Sequence, residues 1–323
     1  MVNNIKIFSG RVHPELAGEI AEKLNIPLGK IKITNFPDGE VHVQIEESLR
    51  GKKVFLIQPT CIPVNESIME LLIMVDACRR ASAEQITAII PYFGYSRQDK
   101  KETGREPISA KLVMNLLSTA GVDRIVSVDL HQPQIQAFFD KPFDHLTAFT
   151  TIANYLKKKN LENPVIVSPD AGRAKIAEKY ASHLGYPMII MHKTRKGVGG
   201  QDVSLSGIIG NPKDKTPIII DDIMAGGSTV KQALALLDNG CREEIYFALT
   251  HPILIDKALE RLSHPAIKEV IVTNSVPVKE KQDNLSKITI LSLANLLSDV
   301  IYRIHHNISV SEVFQTEELD FPV

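Results

Sequence analysis

Short apolar runs rich in β-branched residues alternate along the chain with longer amphipathic stretches. In the first half the runs are Ile5–Phe8, Ile31–Thr34, Val41–Ile45, Val54–Ile57, Ile86–Ile90 and Ile125–Val128. Runs of this length and composition predict strands. Helical spacing fills Asn65–Ala81, where Ile68, Leu71, Leu72 and Val75 recur behind Asn65, a residue suited to capping. A second helix is predicted over Ser109–Ala120, with Leu112, Val113, Leu116 and Leu117 on its stripe and Gly121 as its stop. The second half repeats the arrangement. Strands are expected at Val165–Val167, Met188–Met191, Ile218–Ile220, Ile245–Leu249 and Val270–Thr273. Helices are expected at about Thr151–Lys158, Ala174–Leu184, Thr229–Asn239 and Leu293–Arg303.

Strand–helix alternation implies an α/β fold, a parallel sheet covered by helices on both faces. Two such series predict two domains of similar build, 1–148 and 149–303, followed by a tail, 304–323, that is acidic after Ser311. The length of 323 residues accommodates two ordinary domains. With 44% hydrophobic and 23% charged residues the chain reads as soluble and globular, and no apolar run is long enough to span a bilayer. A formal net charge of −1 argues against a broad nucleic-acid surface but leaves room for a local phosphate site. Cys61, Cys78 and Cys241 are widely spaced and odd in number, so free thiols and a reducing cytoplasm are expected.

In open α/β sheets ligands gather beyond the carboxyl ends of the strands. Three predicted strand ends carry candidate chemistry. In the first, Ile218-Ile219-Ile220-Asp221-Asp222 leads through Ile223, Met224, Ala225, Gly226 and Gly227 to Ser228 and Thr229. A Gly pair lets backbone N–H groups approach an anion, and a helix N-terminus favours negative charge, so this segment reads as a phosphate cradle. The adjacent carboxylates could accept hydrogen bonds from vicinal sugar hydroxyls. The plainer alternative is a strand end followed by a helix cap. The other two ends are Asp129-Leu130-His131 and Ser168-Pro169-Asp170, from which a site for a hard cation can be built, although histidine is an unusual magnesium ligand. Asn35–Glu40 and Tyr95–Lys101 read by themselves as a turn and a solvated charged loop.

Taken together, these stretches resemble the ribose-phosphate pyrophosphokinase (phosphoribosyl pyrophosphate synthetase) family. The landmarks run from Phe36-Pro37-Asp38-Gly39-Glu40 through Asn65–Leu72, Ile90–Asp99 and Asp129–Gln136 to Ser309-Val310-Ser311, nearly the whole chain. The resemblance implies two type I phosphoribosyltransferase-like domains and transfer of a diphosphate group from ATP to ribose 5-phosphate, giving AMP. It assigns ATP to Phe36, Asp38, Gly39 and Glu40 of one subunit and to Arg97, Gln98 and Asp99. It places magnesium on His131 and Asp170. Ribose 5-phosphate falls to Asp221, Asp222, Ala225, Gly226, Gly227, Ser228, Thr229 and Arg195. Lys193 and Arg195 become catalytic cations on a mobile loop, with Gly197–Gly200 as its pliable part. A homo-oligomer, with a hexamer favoured, is implied, as is a tail that packs back on the first domain. Membranes and nucleic acids are not expected partners.

The sequence departs from the family at three places. Ala225 and Gly226 stand where many relatives have Asp and Thr, and the turn after Asp170-Ala171-Gly172 is short, with a helix expected almost directly at Arg173. The family's inter-subunit site for phosphate or ADP is matched by Ser48, Ser82, Lys101, Ser309 and Ser311. Thr103 occupies its commonly basic position, which should weaken the effector. The competing readings are a non-catalytic subunit that tunes active homologues and a phosphoribosyltransferase that consumes the product.

Overall fold

The computed structural model describes residues 4–196 and 202–314. The chain divides into two compact units: the first runs through Ala148 and resumes at Ser275–Pro277 and from Ser292, and the second comprises Phe149–Asn274 and Val278–Leu291.

The first unit opens with β1 (Ile5–Ser9), α1 (Pro14–Lys23) and a hairpin of β2 (Ile31–Asn35) and β3 (Val41–Ile45). β4 (Lys53–Ile57), α2 (Val64–Arg80), β5 (Gln85–Ile90), α3 (Ser109–Ala120), β6 (Arg124–Val128) and β7 (Phe143–Leu146) follow. The main sheet is parallel in the order β1-β4-β5-β6-β7. Its central strands are buried almost throughout, as expected where helices cover both faces. The β2–β3 pair is antiparallel and alternates half-buried with exposed positions, so Ile31, Ile33, Val43 and Ile45 pack on the core while the other face stays wet.

Two local expectations differ. α2 begins one residue before Asn65, and Asn65 does not cap it; its Oδ1 accepts a 2.6 Å hydrogen bond from the Tyr95 hydroxyl instead. On α3 the core stripe is Ala110, Val113, Met114 and Leu117, while Leu112 and Leu116 are exposed. Apolar residues at both 112/116 and 113/117 leave the helix rotation open, and packing chooses one stripe.

The second unit contains α4 (Phe149–Lys157), β8 (Pro164–Ser168), α5 (Ala174–Leu184), β9 (Met188–Lys196), β10 (Asp202–Ile209), β11 (Thr216–Met224) and α6 (Ser228–Leu234). β12 (Ile245–Pro252), α7 (Asp256–Leu262), β13 (Ile267–Thr273), α8 (Lys279–Asn284) and β14 (Ile288–Leu291) complete it. Its sheet order is β10-β9-β8-β11-β12-β13-β14, parallel except for β10 on β9. The order reverses at β8: the chain first moves outward through β9 and β10, then returns to place β11 on the opposite side. The β8/β11 boundary is therefore the switch point where this class of sheet leaves a crevice.

α9 (Ala294–His306) then belongs to the first unit. The sequence reading placed 292–303 in the second domain, and the structure corrects this. α9 packs against α1, and its residues Leu297, Val300 and Ile301 are fully buried. Strand–helix alternation cannot tell which sheet a terminal helix covers. Beyond it, Arg303 Nη1 donates to Ser309 O at 2.9 Å and pairs with Glu312. Among the described residues, no helix is long and apolar enough to cross a membrane.

Candidate active site

In the second unit β11 runs on past the Ile218–Ile220 core, so Asp221 and Asp222 lie within the strand and not beyond its end. Pairing with β12 continues to Met224, which carries the carboxylates on rigid backbone. Both are shielded, with side chains 12% and 6% exposed. Asp221 Oδ1 accepts from the Asp222 N–H at 2.9 Å, and its Oδ2 from the Thr229 hydroxyl at 3.3 Å. Burial first, and the neighbouring Asp222 charge second, push the Asp221 carboxyl well above its ordinary range, and the Arg173 charge opposes them.

The chain then turns through Ala225, Gly226 and Gly227 into α6. Gly227 sits at φ 70°, and a Cβ there would meet Ala258 Cα on α7 at 3.1 Å. A Cβ at Gly226 would meet nothing within 4 Å. Gly227 is therefore required by the protein's own packing, while the space beside Gly226 is open to a ligand. Arg261 Nη1 donates to the Gly226 carbonyl at 2.5 Å and fixes that peptide.

At the end of β8, Asp170 accepts the Arg173 N–H through both its carboxylate and its carbonyl, each at 3.2 Å. This closes a single turn over Ala171–Arg173, from which α5 starts directly. A depression of about 320 Å³ opens here, lined by Asp170, Ala171, Gly172 and His192. A carboxylate lining open space fits magnesium that arrives on substrate phosphates, because that ion takes few protein oxygens and keeps positions for phosphate and water. The Arg173 guanidinium meets Asp222 at 2.5 Å and Asp221 at 3.9 Å. Lys193 and Arg195 are not on a loop but on β9, in register with Leu205 and Val203 of β10. Their side chains, and Gly197–Gly200, lie outside the described residues.

In the first unit Phe36–Glu40 forms the exposed turn of the β2–β3 hairpin. The Phe36 N–H donates to Glu40 O at 2.8 Å, and the Glu40 N–H to Asp38 Oδ1 at 3.2 Å. The Phe36 ring meets His42 edge-on, with centroids 5.4 Å apart, and at 50% exposure it keeps aromatic surface suited to stacking. Arg11 steadies the base: it donates to Asn35 at 2.6 Å and pairs with the buried Glu70 at 2.5 Å. Arg97 and Gln98 are exposed, whereas Asp99 is buried and accepts from Gln134 at 3.0 Å. Asp99 thus braces the segment that carries Arg97 and Gln98. His131 is half-buried just past β6, where the Leu130 N–H donates to His145 at 2.9 Å and the Ala148 N–H to Asp129 at 3.1 Å.

Arg173, Arg261 and His145 were not legible as site residues. Each is a single polar residue, Arg173 at the end of a turn, Arg261 on α7 and His145 on β7, and only tertiary proximity gives its side chain a partner. The shortened turn after Asp170 was the one available signal, for Arg173.

Residues 5–121 match the family model described as the N-terminal domain of ribose phosphate pyrophosphokinase, and residues 201–315 match the phosphoribosyl synthetase-associated domain. The chain is 46% identical over 314 residues to the ribose-phosphate pyrophosphokinase of Helicobacter pylori strain J99, covering 97% of each chain. It is 48% identical over 312 residues to that of Bacillus subtilis strain 168, covering 96% of this chain and 97% of the relative. The crystal structure of phosphoribosylpyrophosphate synthetase from Mycobacterium smegmatis superposes with a TM-score of 0.88 at 43% identity, covering 94% of this chain and 99% of that one.

Proposed function

Because the chain belongs to the ribose-phosphate pyrophosphokinase family, we propose that it moves the β,γ-diphosphoryl group of ATP onto the anomeric hydroxyl of ribose 5-phosphate, releasing AMP. The observation that carries this reading is the Asp221–Thr229 cradle: two shielded carboxylates on a rigid strand beside an open glycine and a helix start. Vicinal ribose hydroxyls donate to Asp221 and Asp222, and the 5-phosphate lies against Ala225–Thr229. Phe36, Asp38, Gly39 and Glu40, with Arg97 and Gln98, hold the nucleotide.

The anomeric oxygen attacks the β-phosphorus, and the bond from that phosphorus to the α-phosphate oxygen breaks. Such transfer needs positioning and neutralisation more than covalent help. Lys193 and Arg195 supply positive charge. Magnesium, when bound with the ATP phosphates, would add charge neutralisation, and His131 and Asp170 are the residues that the family resemblance assigns to it. The active form is a homo-oligomer in which the Phe36–Glu40 turn serves a neighbouring subunit.

An effector role for phosphate or ADP is weak in this reading. Besides the lost cation at Thr103, the Glu106 carboxylate accepts from the Thr103 hydroxyl at 2.7 Å and from the N–H groups of Glu102 and Thr103 at 2.8 and 3.0 Å. Those bonds, the Thr103 hydroxyl foremost, hold Glu106 below its ordinary pKa, so an internal carboxylate already takes the donors an anion would use.

The deciding experiment is product analysis. ATP and ribose 5-phosphate should give AMP and the pyrophosphorylated sugar, with the activity lost on chelating magnesium. Formation of ADP would mean attack at the γ-phosphorus and would overturn the reading.

A further inference from the structure

We propose that Arg173 is a positioning residue for ribose 5-phosphate: the short turn after Asp170 delivers its guanidinium to Asp222 and holds the carboxylate pair of β11 in the orientation that receives the sugar hydroxyls. The proposal rests on the assignment of Asp221 and Asp222 to the ribose made above.

The placement begins at the end of β8. The Ser168 hydroxyl donates to the Asp170 carbonyl at 2.7 Å, and Asp170 in turn accepts the Arg173 N–H twice over. With both ends fastened, only Ala171 and Gly172 separate Asp170 from Arg173. Across the switch point from β8 stands β11, and the guanidinium spans to it, 2.5 Å from Asp222 Oδ2 and 3.9 Å from Asp221 Oδ1. A longer turn would carry the arginine elsewhere, so the local shortening is what sets this contact.

The three side chains are 12%, 6% and 12% exposed for Arg173, Asp222 and Asp221. Two adjacent carboxylates in so little water repel each other and favour taking up a proton, as the raised Asp221 carboxyl shows. A protonated or swung-out carboxyl offers fewer acceptor lone pairs to a diol. Arg173 counters both effects: it supplies compensating charge, and its planar donor fork fixes the Asp222 carboxylate in one rotamer. It acts through the carboxylates and touches no reacting atom, which makes it a positioning residue and not a catalytic one.

The test is calorimetric binding of ribose 5-phosphate to full-length protein without nucleotide, alongside the KM values for both substrates. Arg173→Met should weaken ribose 5-phosphate binding roughly 10- to 100-fold, the range for losing a hydrogen-bonded charge partner. The KM for ATP should change little. Arg173→Lys, which keeps the charge but not the fork, should fall between Met and wild type. Combining Arg173→Met with Asp222→Asn should cost less than the sum of the two single changes, since the arginine acts on the sugar chiefly through Asp222. A folded Arg173→Met variant with wild-type ribose affinity, or additive losses in the double variant, would overturn the proposal. If the Met variant does not fold, wild-type affinity in Arg173→Lys overturns it equally. Absence of binding by the wild type would instead overturn the ribose assignment, and this proposal with it.

Discussion

Gly226 and Gly227 are neighbours in the chain but are constrained by different things. Gly227 combines a left-handed φ of 70° with a close approach to the α7 backbone. Gly227→Val should therefore lower stability by about 1–3 kcal/mol through the protein's own strain, measured as a drop in melting temperature, whatever its effect on the sugar. A Cβ added at Gly226 would meet nothing within 4 Å. Gly226→Ala should leave the melting temperature nearly unchanged yet raise the KM for ribose 5-phosphate, because a methyl there stands where the phosphate approaches the backbone. An unchanged KM would mean that no anion comes close at this position. Ala225 sits in the same turn, and a small side chain is compatible with an anion held mainly by backbone donors.

At the scale of elements, α9 and β13 carry the clearest expectations. α9 is the last α-helix among the described residues and contributes to the core of the first unit through Leu297, Val300 and Ile301. Leu297→Ala should cost about 2–5 kcal/mol, read from urea denaturation; a loss under about 1 kcal/mol would show that α9 does not complete that core. On β13, burial alone would raise the Glu269 carboxyl, but Lys159 at 2.6 Å, Tyr155 at 2.6 Å and Thr289 at 2.7 Å outweigh it and hold the group below its ordinary value. A carboxyl depressed on folding supplies stability above its unfolded pKa and loses it as pH falls through the folded one. Melting temperature should thus decline on acidification below roughly pH 5, and Glu269→Gln should both lower it at neutral pH and flatten that decline. An acid limb with the same slope in the variant would remove Glu269 from the account.

At the scale of the whole molecule, the exposed Phe36 turn offers an aromatic face and carboxylates at the tip of a hairpin that is braced at its base by Arg11, Asn35 and Glu70. A rigid presentation of this kind suits a contribution to a neighbouring subunit's nucleotide. If Asp38→Ala and Lys193→Ala each abolish activity, mixing the two variants under exchange conditions should restore a measurable fraction, because some sites then draw both intact parts. No recovery from mixtures that demonstrably exchange subunits would show that each chain uses its own turn.

Alternation of β-branched runs with amphipathic stretches was enough to specify two α/β series, because parallel strands buried on both faces leave an unmistakable apolar signature, as in Val165–Val167 and Ile218–Ile220. The Asp221–Thr229 cradle was legible for a similar reason: carboxylates, glycines and hydroxyls adjacent in the chain remain adjacent in space. Elements with little apolar contrast, such as α8 and the edge strand β7, gave no comparable signal. Packing decided which stripe of α3 turns inward and which unit receives α9, since local periodicity contains neither the helix rotation nor its partner sheet. Likewise the pairing of Arg173 with Asp222, 49 residues apart, depends on β8 and β11 becoming neighbours at the switch point. Charge and spacing along the chain suffice to suggest a site, but which cation compensates which carboxylate is settled only when the sheet order brings them within reach.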